Sequence, residues 1–150
     1  MQSIKELFRI GNGPSSSHTM GPKKAALLFT EAQSDAERFV VTLYGSLAAT
    51  GKGHLTDEAI LSVMEPVAPT TIVWQPKIFL PFHPNALKME AFRGNRLSGS
   101  QTVYSVGGGA LSDGEKAIGL SENEGRDIYP MTTLTEIMEW CEATGKSYWE

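Results

Sequence analysis

Four hydroxyls and an imidazole occupy five consecutive positions, Ser15-Ser16-Ser17-His18-Thr19, bracketed by Gly13-Pro14 and Gly21-Pro22. The run that follows, Lys23-Lys24-Ala25-Ala26-Leu27-Leu28-Phe29, is built of helix formers. Pro22 suits a first helical turn, where its missing N–H costs nothing. The sequence therefore predicts a helix from Pro22 to about Gln33. Ser17, His18 or Thr19 should lie at or just before its start, where side-chain oxygens cap free N–H groups. Such a start gathers unpaired donors, the positive dipole end and several hydroxyls, a combination that suits a small anion such as a carboxylate or phosphate. A helix cap alone needs one hydroxyl. A flexible linker would not set a histidine and two prolines around its serines.

A second candidate is Thr50-Gly51-Lys52-Gly53-His54. It follows Arg38-Phe39-Val40-Val41-Thr42-Leu43-Tyr44, a β-branched and aromatic stretch that reads as a central strand. Strand C-terminal ends are where α/β-type proteins hold ligands. The Walker A spacing is absent: Gly45 to Gly51 is one residue too long and Gly53 follows Lys52, so a nucleotide loop is excluded. His54 carries an imidazole, a side chain with the chemistry of a general base, although a lone loop histidine is more often structural. Lys52 is a surface charge by default and would neutralise a carboxylate only beside a pocket. Asp57 most simply stabilises its own helix.

His83-Pro84-Asn85 is the third candidate. Asn after Pro commonly closes a turn, and its amide can also bind a polar substrate. The glycines 107–109 permit either a bulge or close approach to a ligand. His18, His54 and His83 lack close metal-ligand spacing, and no metal site is expected in this chain. Cys141, the single cysteine, leaves no internal disulfide, and its place on the apolar side of a helix predicts a buried thiol.

The elements that must position these groups follow from pattern. Ile4, Leu7 and Phe8 predict a short helix over Ser3–Phe8. A helix is predicted to begin at Thr56, with Thr56 as its cap and Ala59, Ile60 and Val63 facing the core. Residues 71–79, interrupted by Pro76, read as an edge strand or extended loop. Residues 87–92 and 97–106 form a hairpin around Gly94-Asn95, and about 111–126 is a loop. Thr133–Thr144 is helical, with Leu134, Ile137, Met138 and Cys141 on one side and Gly145 ending it. A composition of 41% hydrophobic and 20% charged residues over 150 positions gives one ordinary globular domain. The net charge of −4 argues against nucleic acid or an anionic membrane as partner. Without an apolar leader or spanning segment, the expected compartment is the cytoplasm.

Gly-Pro-Ser-Ser-Ser-His-Thr-x-Gly-Pro (13–22), Tyr-Gly-Ser-Leu-Ala-x-Thr-Gly-Lys-Gly-His-x-Thr-Asp (44–57), His-Pro-Asn (83–85) and Tyr-Ser-Val-Gly-Gly-Gly (104–109) resemble, in order, the β domain of the bacterial iron–sulfur L-serine dehydratases. The resemblance implies an α+β fold, a small mixed or antiparallel sheet with helices packed on it, similar to the allosteric substrate-binding domain of phosphoglycerate dehydrogenase. It implies a single β domain over 1–150, a fragment whose iron–sulfur α domain lies C-terminal; Tyr148-Trp149 reads as the lead into it. That partner, in the same or a separate polypeptide, would carry a [4Fe–4S] cluster acting as a Lewis acid on the substrate hydroxyl, and this chain would bind none of it. L-serine would be converted to pyruvate and ammonia.

On this chain the resemblance places the substrate carboxylate at Ser15, Ser16, Ser17 and Thr19. It makes His54 the leading base and His18 a second catalytic histidine. Lys52, Asn85, Gly107 and Gly108 would line the pocket. Many relatives have Asn-Gly where this chain has Asn85-Ala86, and the 66–81 region is short. A homodimer is expected. The alternatives are a regulatory module binding serine or another small anion, and a purely structural oligomerisation domain.

Overall fold

The computed structural model describes residues 10–119 and 129–149. The helix predicted over Ser3–Phe8 lies outside the described residues. Two compact units divide the chain, Arg9–Gly119 in one and the C-terminal helix in the other.

The first unit is an open six-stranded sheet with helices, confirming an α+β fold. Its order is β2-β1-β3-β4-β5-β6. The strands are β1 (Arg38–Tyr44), β2 (Thr70–Gln75), β3 (Asn85–Arg93), β4 (Arg96–Gly107), β5 (Ala110–Ser112) and β6 (Ala117–Ile118). β1 pairs parallel with β2 and antiparallel with β3, and the remaining pairs are antiparallel. A parallel pair needs a long crossover. Here it is supplied by α2 (Gly45–Thr50), a tight 3₁₀ turn (Gly51–His54) and α3 (Thr56–Met64).

Alternation explains β1. Phe39, Val41 and Leu43 are buried, while Arg38, Val40, Thr42 and Tyr44 lie half-buried on the other face. Leu87, Met89 and Ala91 of β3, Val103 of β4 and Leu111 of β5 join the same buried layer. Ala25, Ala26 and Phe29 of α1 (Gly21–Ala32), Leu47 of α2, and Ile60 and Met64 of α3 cover it. Each large apolar side chain so buried contributes about 1.5–3 kcal/mol. The core thus clamps β1 and α1, the two elements whose ends carry the candidate site. β3 and β4 are joined by Gly94-Asn95, as expected. Gly94 adopts φ +54°, a left-handed value that suits glycine at the first position of a two-residue hairpin turn. Asn85 opens β3, and Ala86 follows it within the strand, fully buried, instead of forming a turn.

Several expectations need correcting. Between 44 and 56 the Gly-rich sequence hides two short helical turns. Thr56 is not a cap: it is the first residue of α3, and the preceding Leu55 takes the left-handed conformation at φ 55°. The stretch from 111 is not all loop, because β5 and β6 finish the sheet.

In the second unit, α4 (Leu134–Thr144) starts at Thr133 and ends at the left-handed Gly145, as predicted. It buries none of its residues. Cys141 is half-exposed, not buried, because its helix face has no complete cover.

Candidate active site

The helix carrying the hydroxyl cluster begins earlier than its proline suggests. Ser15 is the cap, and its Oγ accepts the His18 N–H at 3.2 Å. Ser16–Met20 then form a widened turn, with the Met20 N–H reaching the Ser15 carbonyl (3.1 Å) and the Gly21 N–H the Ser16 carbonyl. α1 continues directly from it, so Ser17, His18 and Thr19 lie inside the first turn. Widened turns of this kind recur at functional sites. The N–H groups of Ser16 and Ser17 have no acceptor among the described residues, and no acidic residue occupies this turn. They are donors open to an anion.

His54 ends the 3₁₀ turn that follows β1 and α2, at the C-terminal side of the parallel strand pair. Its ring lies 4.7 Å from that of His18, centroid to centroid. Two reciprocal hydrogen bonds hold the segments together. Thr19 Oγ1 donates to the His54 carbonyl at 2.8 Å, and Thr56 Oγ1 donates to the His18 carbonyl at 2.6 Å. Both threonines are buried. The left-handed Leu55 lies between His54 and Thr56, a conformation that costs a branched L-residue about 1–2 kcal/mol and lets one turn present both groups.

The two imidazoles are wired differently. His54 Nδ1 donates to the Thr50 carbonyl at 2.9 Å. In the neutral ring Nε2 therefore carries the lone pair, as a base requires. His18 has hydroxyls at both nitrogens: Ser17 Oγ at 3.0 Å from Nδ1 and Ser46 Oγ at 3.2 Å from Nε2. Burial, and secondarily the neighbouring His54, push its pKa below the ordinary 6.5, against an opposing contribution from its hydrogen bond at Ser46. His18 is thus neutral at pH 7 and able to exchange donor and acceptor roles with two hydroxyls.

Asn85 joins the group through β3. It pairs with Gly45, while the Ser46 N–H donates to the Pro84 carbonyl at 2.9 Å. His83 Nδ1 accepts the Asn85 N–H at 3.1 Å, so His83 secures the backbone of Asn85. Asn85 Nδ2 points to the Ser105 carbonyl at 3.4 Å. Gly107, Gly108 and Gly109 turn the chain from β4 into β5.

The structure thus brings Ser15, Ser16, Ser17, His18, Thr19 and His54 together, with Asn85 alongside. Thr19 faces inward and holds His54. Lys52 is exposed, its ammonium 5.8 Å from the Trp74 ring. Ser46, Thr56 and Ser105 are members that sequence reasoning passed over. Ser46 and Ser105 stand inside the motifs 44–57 and 104–109, so position within a motif was the available signal. Among the described residues no group of three or more His, Cys, Asp or Glu side chains is placed to hold a metal ion. One cysteine cannot supply the thiolates of an iron–sulfur cluster, so these residues do not fit that group.

Comparison with known proteins identifies the family. The family model described as serine dehydratase beta chain matches residues 3–72 and 65–116. L-serine dehydratase 2 of Escherichia coli is 33% identical over 188 aligned positions, covering 98% of this chain and 41% of the relative. An L-serine dehydratase of Helicobacter pylori is 34% identical, covering 97% and 41% respectively. That of Mycobacterium tuberculosis is 32% identical, covering 93% and 39%. The first alignment is longer than this chain, so that relative carries residues this chain lacks. The chain spans about two fifths of the length of the curated relatives it matches. On the family match and the near-complete coverage of its own length, the chain belongs to the serine dehydratase beta chain family.

Proposed function

We propose that this chain supplies the substrate-binding and proton-abstracting half of an L-serine dehydratase active site. The observation that carries the reading is the pairing of two differently wired imidazoles beside the open N–H groups of Ser16 and Ser17. The substrate carboxylate sits on those N–H groups and the hydroxyls of Ser15, Ser16 and Ser17. His54 Nε2 takes the α-proton. The electron pair of the broken C–H bond forms the Cα–Cβ double bond, and the β-hydroxyl leaves with a proton as water. The resulting aminoacrylate tautomerises to an imine and hydrolyses to pyruvate and ammonia. His18, held neutral between two hydroxyls, orients Ser17 and Ser46 and adds no second positive charge beside the protonated base.

Activation of the leaving hydroxyl is not assigned to these residues. It belongs to the remainder of the enzyme, the α domain or subunit to which the resemblance gives the [4Fe–4S] cluster. The fold's proposed likeness to the allosteric domain of phosphoglycerate dehydrogenase, a homodimeric assembly and a cytoplasmic setting belong to the same reading. The test is anaerobic pyruvate release from L-serine by the assembled enzyme, parent against His54→Ala. The expected loss is about 10²–10⁴-fold, the usual contribution of one acid–base group. Serine binding without pyruvate from the parent would instead make the domain a sensor.

A further inference from the structure

The proposed site has donors for a carboxylate, but a zwitterionic substrate also brings an ammonium that needs an acceptor. None of the segments that build the site, 13–22, 44–54, 83–85 and 104–109, contains an aspartate or glutamate. One amide oxygen is left over. Asn85 Oδ1 is sealed from solvent and has no hydrogen-bond donor among the described residues, and the Oγ of fully buried Ser105 is likewise unpartnered. Buried polar atoms without partners are rare and point to a missing ligand, water or ion.

Both orphans border the site. Asn85 bridges to Gly45, next to the Ser46 whose hydroxyl reaches His18 Nε2 at 3.2 Å. Ser105 Oγ packs against the end of the hydroxyl-bearing turn so closely that a Cβ on Gly21 would fall 2.2 Å from it. The orientation of the amide is also determined. With Nδ2 on the Ser105 carbonyl at 3.4 Å, turning the amide over would set two carbonyl oxygens against each other. The oxygen is therefore the half left for a ligand.

We infer that Asn85 Oδ1 accepts the α-ammonium of the bound amino acid, and that Ser105 is the positioning residue whose main-chain carbonyl aims it. The inference rests on reading the site as a serine site, and it names the group that tells an amino acid from a hydroxy acid. Reaching Oδ1 requires a small opening. Gly107, Gly108 and Gly109, at φ 109°, 56° and 75°, are the adjoining backbone with the greatest conformational freedom. A neutral acceptor suits the chemistry, because a carboxylate here would raise the proton affinity of the adjacent imidazoles.

The experiment compares L-serine with L-glycerate, which keeps the carboxylate and β-hydroxyl but replaces the ammonium by a hydroxyl. In the assembled enzyme, KM for serine and Ki for glycerate are measured in the parent, Asn85→Ala and Asn85→Asp. Asn85→Ala is expected to raise KM for serine about tenfold or more, the loss typical of a hydrogen bond to a charged group, while Ki for glycerate moves less than about threefold. Asn85→Asp, nearly isosteric, is expected to keep serine and weaken glycerate. An equal loss for both ligands in Asn85→Ala, or an unchanged serine-to-glycerate ratio in Asn85→Asp, overturns the assignment. Should Asn85→Ala fail to fold, the ratio in Asn85→Asp decides alone. Pyruvate from the parent with unaltered ratios in the variants sinks only the ammonium assignment. A parent that neither binds nor converts serine sinks the proposed function with it.

Discussion

Two helix starts in this chain share one local plan and come to opposite ends. At α4, Thr133 Oγ1 accepts the Glu136 N–H at 3.3 Å, and Glu136 reaches back to the N–H groups of Thr132 (2.7 Å) and Thr133 (2.9 Å). At the hydroxyl-rich turn, Ser15 Oγ accepts the His18 N–H in the same three-residue spacing. The residue at the third position, however, is a histidine whose ring turns away to Ser17 and Ser46. The first start closes its capping box with its own carboxylate. The second has no such carboxylate: its Ser15 N–H goes to Thr19 Oγ1 at 3.3 Å, and the N–H groups of Ser16 and Ser17 are left without an acceptor among the described residues. The proposed anion site thus sits at a helix start that carries no acidic side chain in its first turn.

The largest expected effect comes from supplying one. His18→Glu sets a negative charge in the first turn of the same helix start. Affinity for L-serine should fall by more than about 10²-fold, since the new carboxylate repels the substrate's at that helix start and the His18 imidazole is lost. Thermal stability should hold or rise. Calorimetric titration beside a melting curve checks both, and unweakened serine binding would break the comparison.

Next in size is the threonine clamp. Thr19→Val or Thr56→Val strands a carbonyl of one histidine, which should cost about 1–3 kcal/mol each in urea unfolding. The two effects should couple in a double-mutant cycle, since both bonds hold the same two segments. Additive losses would show that the clamp is not a unit.

His18 also gives a pH signature. Its folded pKa lies below the ordinary 6.5. Above pH 6.5 neither state binds the proton, so its contribution is full and constant. As pH falls below 6.5 the unfolded chain protonates first, and stability declines until the folded value is passed. Urea midpoints between pH 7.5 and 5 should show the decline in the parent and less of it in His18→Gln. Glu136, held to about 2 first by the backbone N–H of Thr132, behaves oppositely in cause: its contribution is full above 4.5 and is lost as pH drops toward 2. The smallest effect on serine binding belongs to Thr133→Ala in the second unit, which should cost α4 about 0.5–2 kcal/mol and leave serine affinity unchanged.

What the sequence disclosed follows a physical line. β1, α1, the 87–106 hairpin and α4 were legible because each repeats apolar residues at the period of its own geometry. The hydroxyl cluster and His54 were legible because of their composition. The conformation between them was not. Gly45–His54 has no apolar period to betray two short turns, and Leu55 adopts a backbone that its side chain disfavours, so tertiary bonds to Thr19 and Thr56 decide it. Cys141 was misplaced because a helical stripe says which side is apolar, not whether anything covers it. Ser46 and Ser105 carry no local signature, and their roles come from partners distant in sequence.

The proposed function stands or falls on removal of the α-proton by His54 Nε2. The direct measurement is exchange of that proton with solvent deuterium, followed by NMR in the assembled enzyme holding L-serine, parent against His54→Gln. Exchange should slow about 10²–10⁴-fold in His54→Gln, with serine affinity within about threefold of the parent. Exchange at the parental rate in His54→Gln would contradict the proposed function.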